Sequence, residues 1–175
     1  MGLNVADFPR RGVGWLTGLV AAVGKAVAWL TLLMVLLTFN TVTLRYGFNL
    51  GWVWLQDIVT YLHAVVFMLA AAWALQTNEH VRVDIFYHEW PARKKALVDL
   101  LGTMLLLVPV CVFLLVISWN YVSTSWAVQE GSHSAGGLPF VYVQKTLILL
   151  LPTLLLLQAI VTIWNSVHTL RGSSR

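Results

Sequence analysis

The sequence predicts an all-α membrane protein with four transmembrane helices, and three observations predict it. Of the 175 residues, 59% are hydrophobic and only 10% are charged, whereas a typical globular domain carries about 25% charged residues. The apolar residues fall in runs close to the roughly 20 residues that a helix needs to cross a bilayer. Polar and charged residues dominate only one long stretch, from Asn78 to Lys95. We therefore expect a single membrane domain over residues 1–175, with this stretch connecting two spans.

Each span is predicted from an apolar run with few charges, bounded by turn formers or by interfacial aromatic residues. The four predicted spans cover residues 26–44, 52–75, 97–120 and 143–166. Pro109 and Pro152 fall inside the third and fourth spans, where each predicts a kink or a local rearrangement of the helix. Five alanines make the inner half of the second span narrow, and small residues allow helices to approach closely in lipid. The second span is therefore predicted to pack centrally.

The segment before the first span, residues 13–23, allows two interpretations. Trp15 is typical of a short amphipathic helix that lies at the inner interface, but the segment can equally extend the first span. Arg10 and Arg11 precede it in the manner of a signal peptide. Because the next apolar run is longer than the roughly 7 to 15 residues of a signal-peptide core, we expect it to remain as a transmembrane helix.

The basic residues predict the orientation of the spans. Four spans place both termini on one side of the membrane, together with the loop of residues 76–95. Two basic residues, Arg45 and Lys145, fall on the other side. The nine on the first side are Arg10, Arg11, Lys25, Arg82, Arg93, Lys94, Lys95, Arg171 and Arg175. Under the positive-inside rule this bias predicts cytoplasmic termini, a cytoplasmic loop at 76–95 and a periplasmic loop at 121–140.

No catalytic, metal or nucleic-acid site is predicted. The segment from Gly18 to Lys25 resembles a phosphate-binding loop, but five residues rather than four separate its glycines. In a His-Glu-x-x-His zinc helix starting at His88, the second histidine would fall on Ala92. Ser132 stands where a nucleophile elbow centred on Ser134 needs its first glycine. The basic residues lie beside apolar spans without interleaved aromatic residues, so no nucleic-acid partner is expected.

Haem binding, as in an anchor subunit of a membrane oxidoreductase, is the main alternative function. Axial ligation of haem needs two ligands at one depth on facing helices. His63 lies near the middle of the second span, whereas His80, His88, His133 and His168 lie in loops or at span ends. We therefore predict no cofactor. We interpret His63 as a neutral histidine that is hydrogen-bonded within the bundle or to a partner subunit.

Asp57 lies about one helical turn below Trp54 in the second span. An ionisable side chain in or near a span is costly unless it is paired. Arg45 and Lys145 are expected at the same outer level of the membrane. We therefore interpret Asp57 as a member of a structural ion pair or as a contact with a partner protein, in preference to a role in ion transport.

Three motifs resemble one family of membrane proteins. They are Leu44-Arg45-Tyr46-Gly47-Phe48-Asn49, Trp54-Leu55-Gln56-Asp57-Ile58-Val59-Thr60-Tyr61-Leu62 and His80-Val81-Arg82-Val83-Asp84. Together they are similar to the small, DctQ-like membrane subunit of tripartite ATP-independent periplasmic (TRAP) transporters. The resemblance runs from about Thr41 to the last span. The family usually has an acidic pair after the Trp of the second span, whereas this chain has Gln56-Asp57.

The resemblance implies a supporting role in secondary transport. Such a subunit braces a large membrane subunit, which carries the substrate and sodium sites and moves as an elevator. It also helps to dock a periplasmic binding protein that delivers an organic acid. The resemblance therefore implies a multi-pass protein of the bacterial inner membrane that is not an enzyme and does not transport alone.

Two sets of residues are predicted to make the corresponding contacts. The partner or structural interface is predicted to comprise Arg45, Trp54, Asp57, Tyr61, His80, Arg82, Asp84 and Lys145. Membrane lipid headgroups are expected at Arg93, Lys94 and Lys95, because clustered basic residues next to a span attract the anionic phosphates of the inner leaflet. The substrate itself is expected to be selected by the two partner proteins.

Overall fold

Four long helices form the fold. A computed structural model describes residues 7–77 and 90–172, with side chains described for 14–77 and 90–171. The helices are α1 (Asp7–Gly47), α2 (Val53–Gln76), α3 (Ala92–Ala127) and α4 (Val141–Gly172). All four are long and apolar enough to cross a membrane, and the described ranges contain no strand. The predicted class, an all-α protein with four membrane-spanning helices, is confirmed.

α1 is one continuous helix from Asp7 to Gly47. Residues 13–23 therefore form its N-terminal part and continue directly into the first predicted span. At its other end, the amide of Leu50 donates to the carbonyl of Leu44 over 2.9 Å, and Asn49 has a left-handed φ of 57°. This bond closes the C-terminal end of the helix, and Asn is the residue after Gly that best tolerates the left-handed conformation found here. The chain thus reverses into α2 within a few residues.

α3 contains the rearrangement that its internal proline predicts. Two α-helical segments, Ala92–Gly102 and Val108–Ala127, flank a π-helical turn at Thr103–Leu107. The amide of Val108 donates to the carbonyl of Thr103 in this turn. Pro109 follows directly, and because it has no amide hydrogen it cannot continue the regular α-helical pattern. The wider turn therefore accommodates the proline without ending the helix.

α4 occupies the centre of the bundle. It contacts α1, α2 and α3, and it has the largest buried share of the four spans, whereas α2 has the smallest. The prediction that the second span packs centrally is therefore wrong. α4 combines the small buried residues Ala159 and Ser166 with the fully buried Pro152, and such residues allow neighbouring backbones to approach closely.

A seam between α1 and α2 stabilises the end of the bundle that carries the chain termini. The buried residues Val20 and Val27 lie on one face of α1, and Gly24 lies between them. The backbone of Gly24 packs directly against the indole of Trp73 on α2, so that a Cβ atom at this position would overlap the ring. One turn further along, the Gln76 amide donates to the carbonyl of Thr17 over 3.1 Å.

Candidate functional site

A polar contact between the two helical hairpins lies at the opposite end of the bundle. This loop end is formed by the α1–α2 connection, residues 48–52, and the α3–α4 connection, residues 128–140. Hydrogen bonds and an ion pair that involve α2, α3, α4 and the α3–α4 connection gather here, where a membrane protein can expose polar groups to water. The loop end is therefore a candidate functional surface.

Asp57 ties the two hairpins together. Its Oδ2 accepts a hydrogen bond of 2.9 Å from the backbone amide of Leu138, which lies 81 residues later in the chain. Gly137 makes this approach possible, because a Cβ atom there would lie 2.6 Å from Oδ2 and would overlap the side chain of Ser132. Asp57 therefore acts as an acceptor for the α3–α4 connection from a position on α2.

The α3–α4 connection is shaped by its own hydrogen bonds. The amide of Ser132 donates to the carbonyl of Leu138 over 3.0 Å, and the amide of Gly137 donates to that of Ser134 over the same distance. Gly136 has a φ of 78°, a conformation that a residue with a Cβ atom rarely adopts. These bonds bring Leu138 back beside Ser132 and present its amide to Asp57.

A second polar cluster joins this connection to α3 and α4. One carboxylate oxygen of Glu130 accepts a hydrogen bond of 2.7 Å from the Ser125 hydroxyl and forms an ion pair with Lys145. The ammonium of Lys145 also lies 4.0 Å above the centre of the Tyr121 ring, an arrangement that favours the cation. The Lys145 and Glu130 side chains are only 15% and 22% exposed, so the pair is largely sheltered from water.

Trp126 adds a third link between α3 and α4. Its indole N–H donates to the Thr146 hydroxyl over 2.9 Å, and its ring lies edge-on to that of Tyr142 with centroids 4.7 Å apart. An indole at the interface commonly combines apolar packing with one hydrogen bond in this way. The loop end is thus held by interactions from α2, α3, α4 and the connection itself.

The predicted interface residues are only partly brought together. Lys145 pairs with Glu130, and within the described ranges no ion pair joins Asp57 to Lys145 or to Arg45. Arg45 is exposed in the last turn of α1. Trp54 is 43% exposed, with its ring 6.4 Å from that of Trp52.

The remaining predicted residues lie away from the loop-end contacts. The Tyr61 hydroxyl is buried on α2 and has no hydrogen-bond partner among the residues described. At the first turn of α3, Arg93 and Lys94 are exposed and Lys95 is half-buried. Three predicted interface residues, His80, Arg82 and Asp84, lie outside the described residues.

Sequence reasoning missed the partner of Lys145 and the partner of Asp57. Glu130 is an acidic residue in a turn-rich stretch, 15 residues before Lys145. A lysine at the start of a span is expected to pair with an acidic residue, and this expectation could have identified Glu130 from the sequence. Leu138 gave no signal, since its contribution is a backbone amide. Its neighbour Gly137 was one of several turn-forming glycines.

The acidic, cysteine and histidine side chains of the described residues are spread along the bundle. Within residues 7–77 and 90–172, no group of three or more His, Cys, Asp or Glu side chains could hold a metal ion. His63 is exposed on α2, with Phe67 as its ring neighbour. His133 is in the α3–α4 connection and His168 is near the end of α4, so neither lies at the depth of His63.

The contacts of Glu130 with Ser125 and Lys145 predict that the stability of the chain depends on pH. Hydrogen bonds from Lys145 and Ser125 lower the pKa of the Glu130 carboxyl below its ordinary value. A lowered folded-state pKa contributes stability that is complete above the unfolded-state pKa, about 4.3 for glutamate, and that is lost as the pH falls through the folded-state pKa. We expect the thermal unfolding midpoint of the wild-type chain to exceed that of Glu130→Gln at pH 7, and the difference to shrink below about pH 4.

Glu130→Gln serves as the matched control because it keeps the shape of the side chain and does not titrate. Other carboxyl groups titrate equally in both proteins, so their effect cancels in the difference. A difference between the two midpoints that stays constant from about pH 7 to about pH 3.5 would contradict the assigned role of the carboxylate.

Comparisons with known proteins agree on one family. The family model described as "Tripartite ATP-independent periplasmic transporters, DctQ component" matches residues 34–169. A TRAP transporter small permease protein of Haemophilus influenzae is 33% identical over 84 residues, which cover 48% of this chain and 51% of that protein. The C4-dicarboxylate TRAP transporter small permease protein DctQ of Vibrio cholerae is 32% identical over 88 residues, which cover 50% of this chain and 38% of that protein.

The chain thus spans about half the length of one of these curated relatives and less of the other. No solved structure matches it significantly. The family model nevertheless extends from within α1 almost to the end of α4, so it includes the C-terminal part of α1, the whole of α2 and α3, most of α4 and both connections at the loop end. The chain therefore belongs to the DctQ component family of TRAP transporters, as a small permease subunit that crosses the bacterial inner membrane several times.

Proposed function

We propose that this subunit is a non-transporting scaffold. It braces the large, elevator-type membrane subunit of a TRAP transporter and helps to dock a periplasmic binding protein, for the sodium-coupled uptake of an organic acid. The family membership supports both partnerships, and the name of the Vibrio cholerae relative, a C4-dicarboxylate transporter subunit, supports an acidic substrate. In this role the chain carries out no enzymatic step.

The observation that carries the scaffold role is the bond between Asp57 and Leu138. A carboxylate in a span usually marks a functional site for an ion or a proton. Here it accepts a hydrogen bond from the chain's own backbone, and Glu130 and Lys145 likewise satisfy each other. The Asp57 bond therefore joins the two hairpins, and the Glu130–Lys145 pair fixes the α3–α4 connection to α4. This arrangement suits a rigid support better than a site that must bind and release an ion.

The proposed topology places the loop end in the periplasm and both termini in the cytoplasm, as the distribution of basic residues favours. Arg45 and Trp54 are then available at the periplasmic surface, where a binding protein would dock. On α2, the half-buried Tyr61 is proposed to belong to the same partner or structural interface. On the cytoplasmic side, the connection that contains His80, Arg82 and Asp84 is proposed to contact the large subunit.

Arg93, Lys94 and Lys95 are proposed to bind lipid headgroups at the cytoplasmic surface. A basic residue near an anionic membrane surface is worth about 1 kcal/mol, and Arg93 and Lys94 are exposed at the start of a membrane-spanning helix. We expect Arg93→Gln/Lys94→Gln to reduce the number of phosphatidylglycerol molecules that remain bound to the purified chain. Native mass spectrometry measures that number directly.

The charge-preserving exchange Arg93→Lys/Lys94→Arg is the control for the lipid prediction. It should retain the bound phosphatidylglycerol, because both positions stay cationic. Equal retention by the neutral and the charge-preserving variants would contradict a headgroup role for these residues.

Reconstitution tests the proposed function as a whole. Liposomes that contain this subunit, the large subunit and the binding protein should accumulate a radiolabelled organic acid when a sodium gradient is imposed. Liposomes that contain the small subunit alone should show no uptake, and tagged small subunit should retain the large subunit during purification. Flux through the small subunit alone, or a stoichiometric haem absorbance in the purified chain, would overturn the proposal.

A further inference from the structure

α2 carries a stripe of residues that faces away from the rest of the chain. The α2 stripe consists of Gln56, Thr60, His63 and Phe67, which are all exposed. Successive members are four, three and four residues apart, and these intervals place them on one face of a helix. Three of the four side chains are polar. A polar face on the outside of a bundle is unexpected for a helix surrounded by lipid.

The buried residues of α2 confirm the direction of the stripe. Leu55 and Ala72 are the buried residues of this helix, and at about 100° per residue both lie on the side opposite the stripe. That opposite side packs against α1 and α4. The stripe is therefore left without a neighbouring helix from the described part of the chain.

His63 lies deep in the membrane-spanning segment. It follows Val53, the first residue of α2, by ten positions, which is about 15 Å at a rise of about 1.5 Å per residue. The whole helix of 24 residues is about 36 Å long, and the hydrocarbon core of a bilayer is about 30 Å thick. The imidazole is thus near the middle of the core, beyond the reach of interfacial water.

The imidazole of His63 makes no hydrogen bond to the described residues. Its ring contact is with Phe67, at 6.5 Å between centroids and 10° between planes. A neutral imidazole has one donor and one acceptor nitrogen, and leaving both unsatisfied in hydrocarbon is costly. Thr60 differs, because its hydroxyl donates to the carbonyl of Gln56 over 3.0 Å. His63 is therefore the member of the stripe that most needs a partner.

The exposed face of α3 is apolar, in contrast to the α2 stripe. At membrane depth its exposed residues are apolar, including Leu105, Val112, Phe113 and Val116. Such a surface is compatible with lipid tails and requires no hydrogen-bonding partner. The two exposed faces therefore predict different neighbours, lipid for α3 and protein for α2.

We infer that the α2 stripe is the docking face for a transmembrane helix of the large membrane subunit. A polar side chain of that helix hydrogen-bonds to His63 near the middle of the membrane, and an apolar side chain packs on Phe67. Polar complementarity of this kind is a common means of joining helices in lipid. The inference rests on the proposed function, which supplies the partner, and adds the surface and the residue through which it binds.

Photocrosslinking tests the docking face. p-Benzoylphenylalanine is introduced in place of Phe67 on α2 or of Phe113 on α3, two aromatic residues with similar exposures of 71% and 61%. Both variants are coexpressed with the large subunit, irradiated in membranes and analysed by mass spectrometry. We expect the Phe67 variant to form an adduct with a single transmembrane segment of the large subunit, and the Phe113 variant to form no protein adduct.

Substitution of His63 tests the proposed hydrogen bond. Hydrogen bonds between transmembrane helices correspond to about a threefold to thirtyfold change in affinity. His63→Leu should therefore increase dissociation of the large subunit within that range, whereas His63→Gln, which keeps a donor and an acceptor, should restore most of the affinity. Unchanged thermal unfolding of the isolated chain for both variants would show that the effect lies in assembly.

The outcomes separate the inference from the proposed function. If wild-type chain retains no large subunit, the proposed function fails. If it retains the large subunit but the Phe67 variant forms no adduct with it, or if the Phe113 variant does, the docking face is wrong and the scaffold role stands. An adduct between two copies of this chain at position 67 would overturn the choice of partner. Equal affinities of the His63→Leu and wild-type chains would overturn the hydrogen bond.

Discussion

Replacement of Asp57 by alanine is expected to separate the two hairpins at the loop end and to abolish most uptake by the assembled transporter. The substitution removes the acceptor for the Leu138 amide. A hydrogen bond to a charged group is worth about 1.5–3 kcal/mol, and an amide left without an acceptor adds a desolvation cost. Because the bond is only partly buried, we expect a loss of about 1–2 kcal/mol in the free energy of unfolding. Thermal unfolding and reconstituted uptake measure the two effects.

Asp57→Asn and Asp57→Lys identify which property of the carboxylate matters. Asparagine keeps an oxygen that accepts from Leu138, so it should retain most of the stability if the hydrogen bond is the main contribution. Lysine presents donors to another donor and should be at least as harmful as alanine. If Asp57→Asn matched Asp57→Ala in both assays, the charge would be more important than the hydrogen bond, and a contact with the binding protein would explain it better.

Gly137 supports the interpretation of Asp57 from the other side of the contact. The loop can approach the carboxylate only because residue 137 has no Cβ atom. The two hairpins are therefore matched at this point by one acidic side chain and one glycine. Neither residue alone indicates the contact in the sequence, since a glycine in a turn-rich segment has many possible reasons.

The fold class was predictable because the bilayer imposes it. Hydrocarbon satisfies no backbone group, so each long apolar run must be a helix. The reversal after α1 was also predictable, since Gly47 and Asn49 stop a helix and Asn49 adopts the left-handed conformation. The disturbance in α3 followed from Pro109, although the sequence did not indicate that it would take the form of a π-helical turn.

The packing arrangement was less predictable for a physical reason. In water, the apolar face of a helix shows which side is buried, but in lipid both faces are apolar and the pattern is lost. The alanines of α2 therefore suggested a central position that α4 occupies instead. The pairing of Glu130 with Lys145 depends on the path of the α3–α4 connection, which backbone hydrogen bonds determine. A composition rich in turn formers predicts a loop without specifying that path.

Gly24 is expected to be the position on α1 where an added methyl group does most damage. In Gly24→Ala the new Cβ atom would overlap the indole of Trp73 and lie 2.6 Å from its Cβ atom, which no rotation of the side chain relieves. α1 must then move away from α2, and the Gln76 bond to Thr17 is lost with it. Overpacking of a tight contact typically costs about 1–3 kcal/mol. We therefore expect a lower thermal unfolding midpoint in detergent.

Gly18→Ala is the control that makes the Gly24 result specific. Gly18 is exposed in the same helix, and an added Cβ atom there meets no other atom within 4 Å. Alanine is favoured over glycine in a helix by about 1 kcal/mol, so this substitution should raise the midpoint. The same chemical change then gives opposite signs at two positions six residues apart, because helix propensity decides the result at Gly18 and contact with α2 decides it at Gly24. Stabilisation by both substitutions would show that α1 and α2 do not approach as closely as this seam requires.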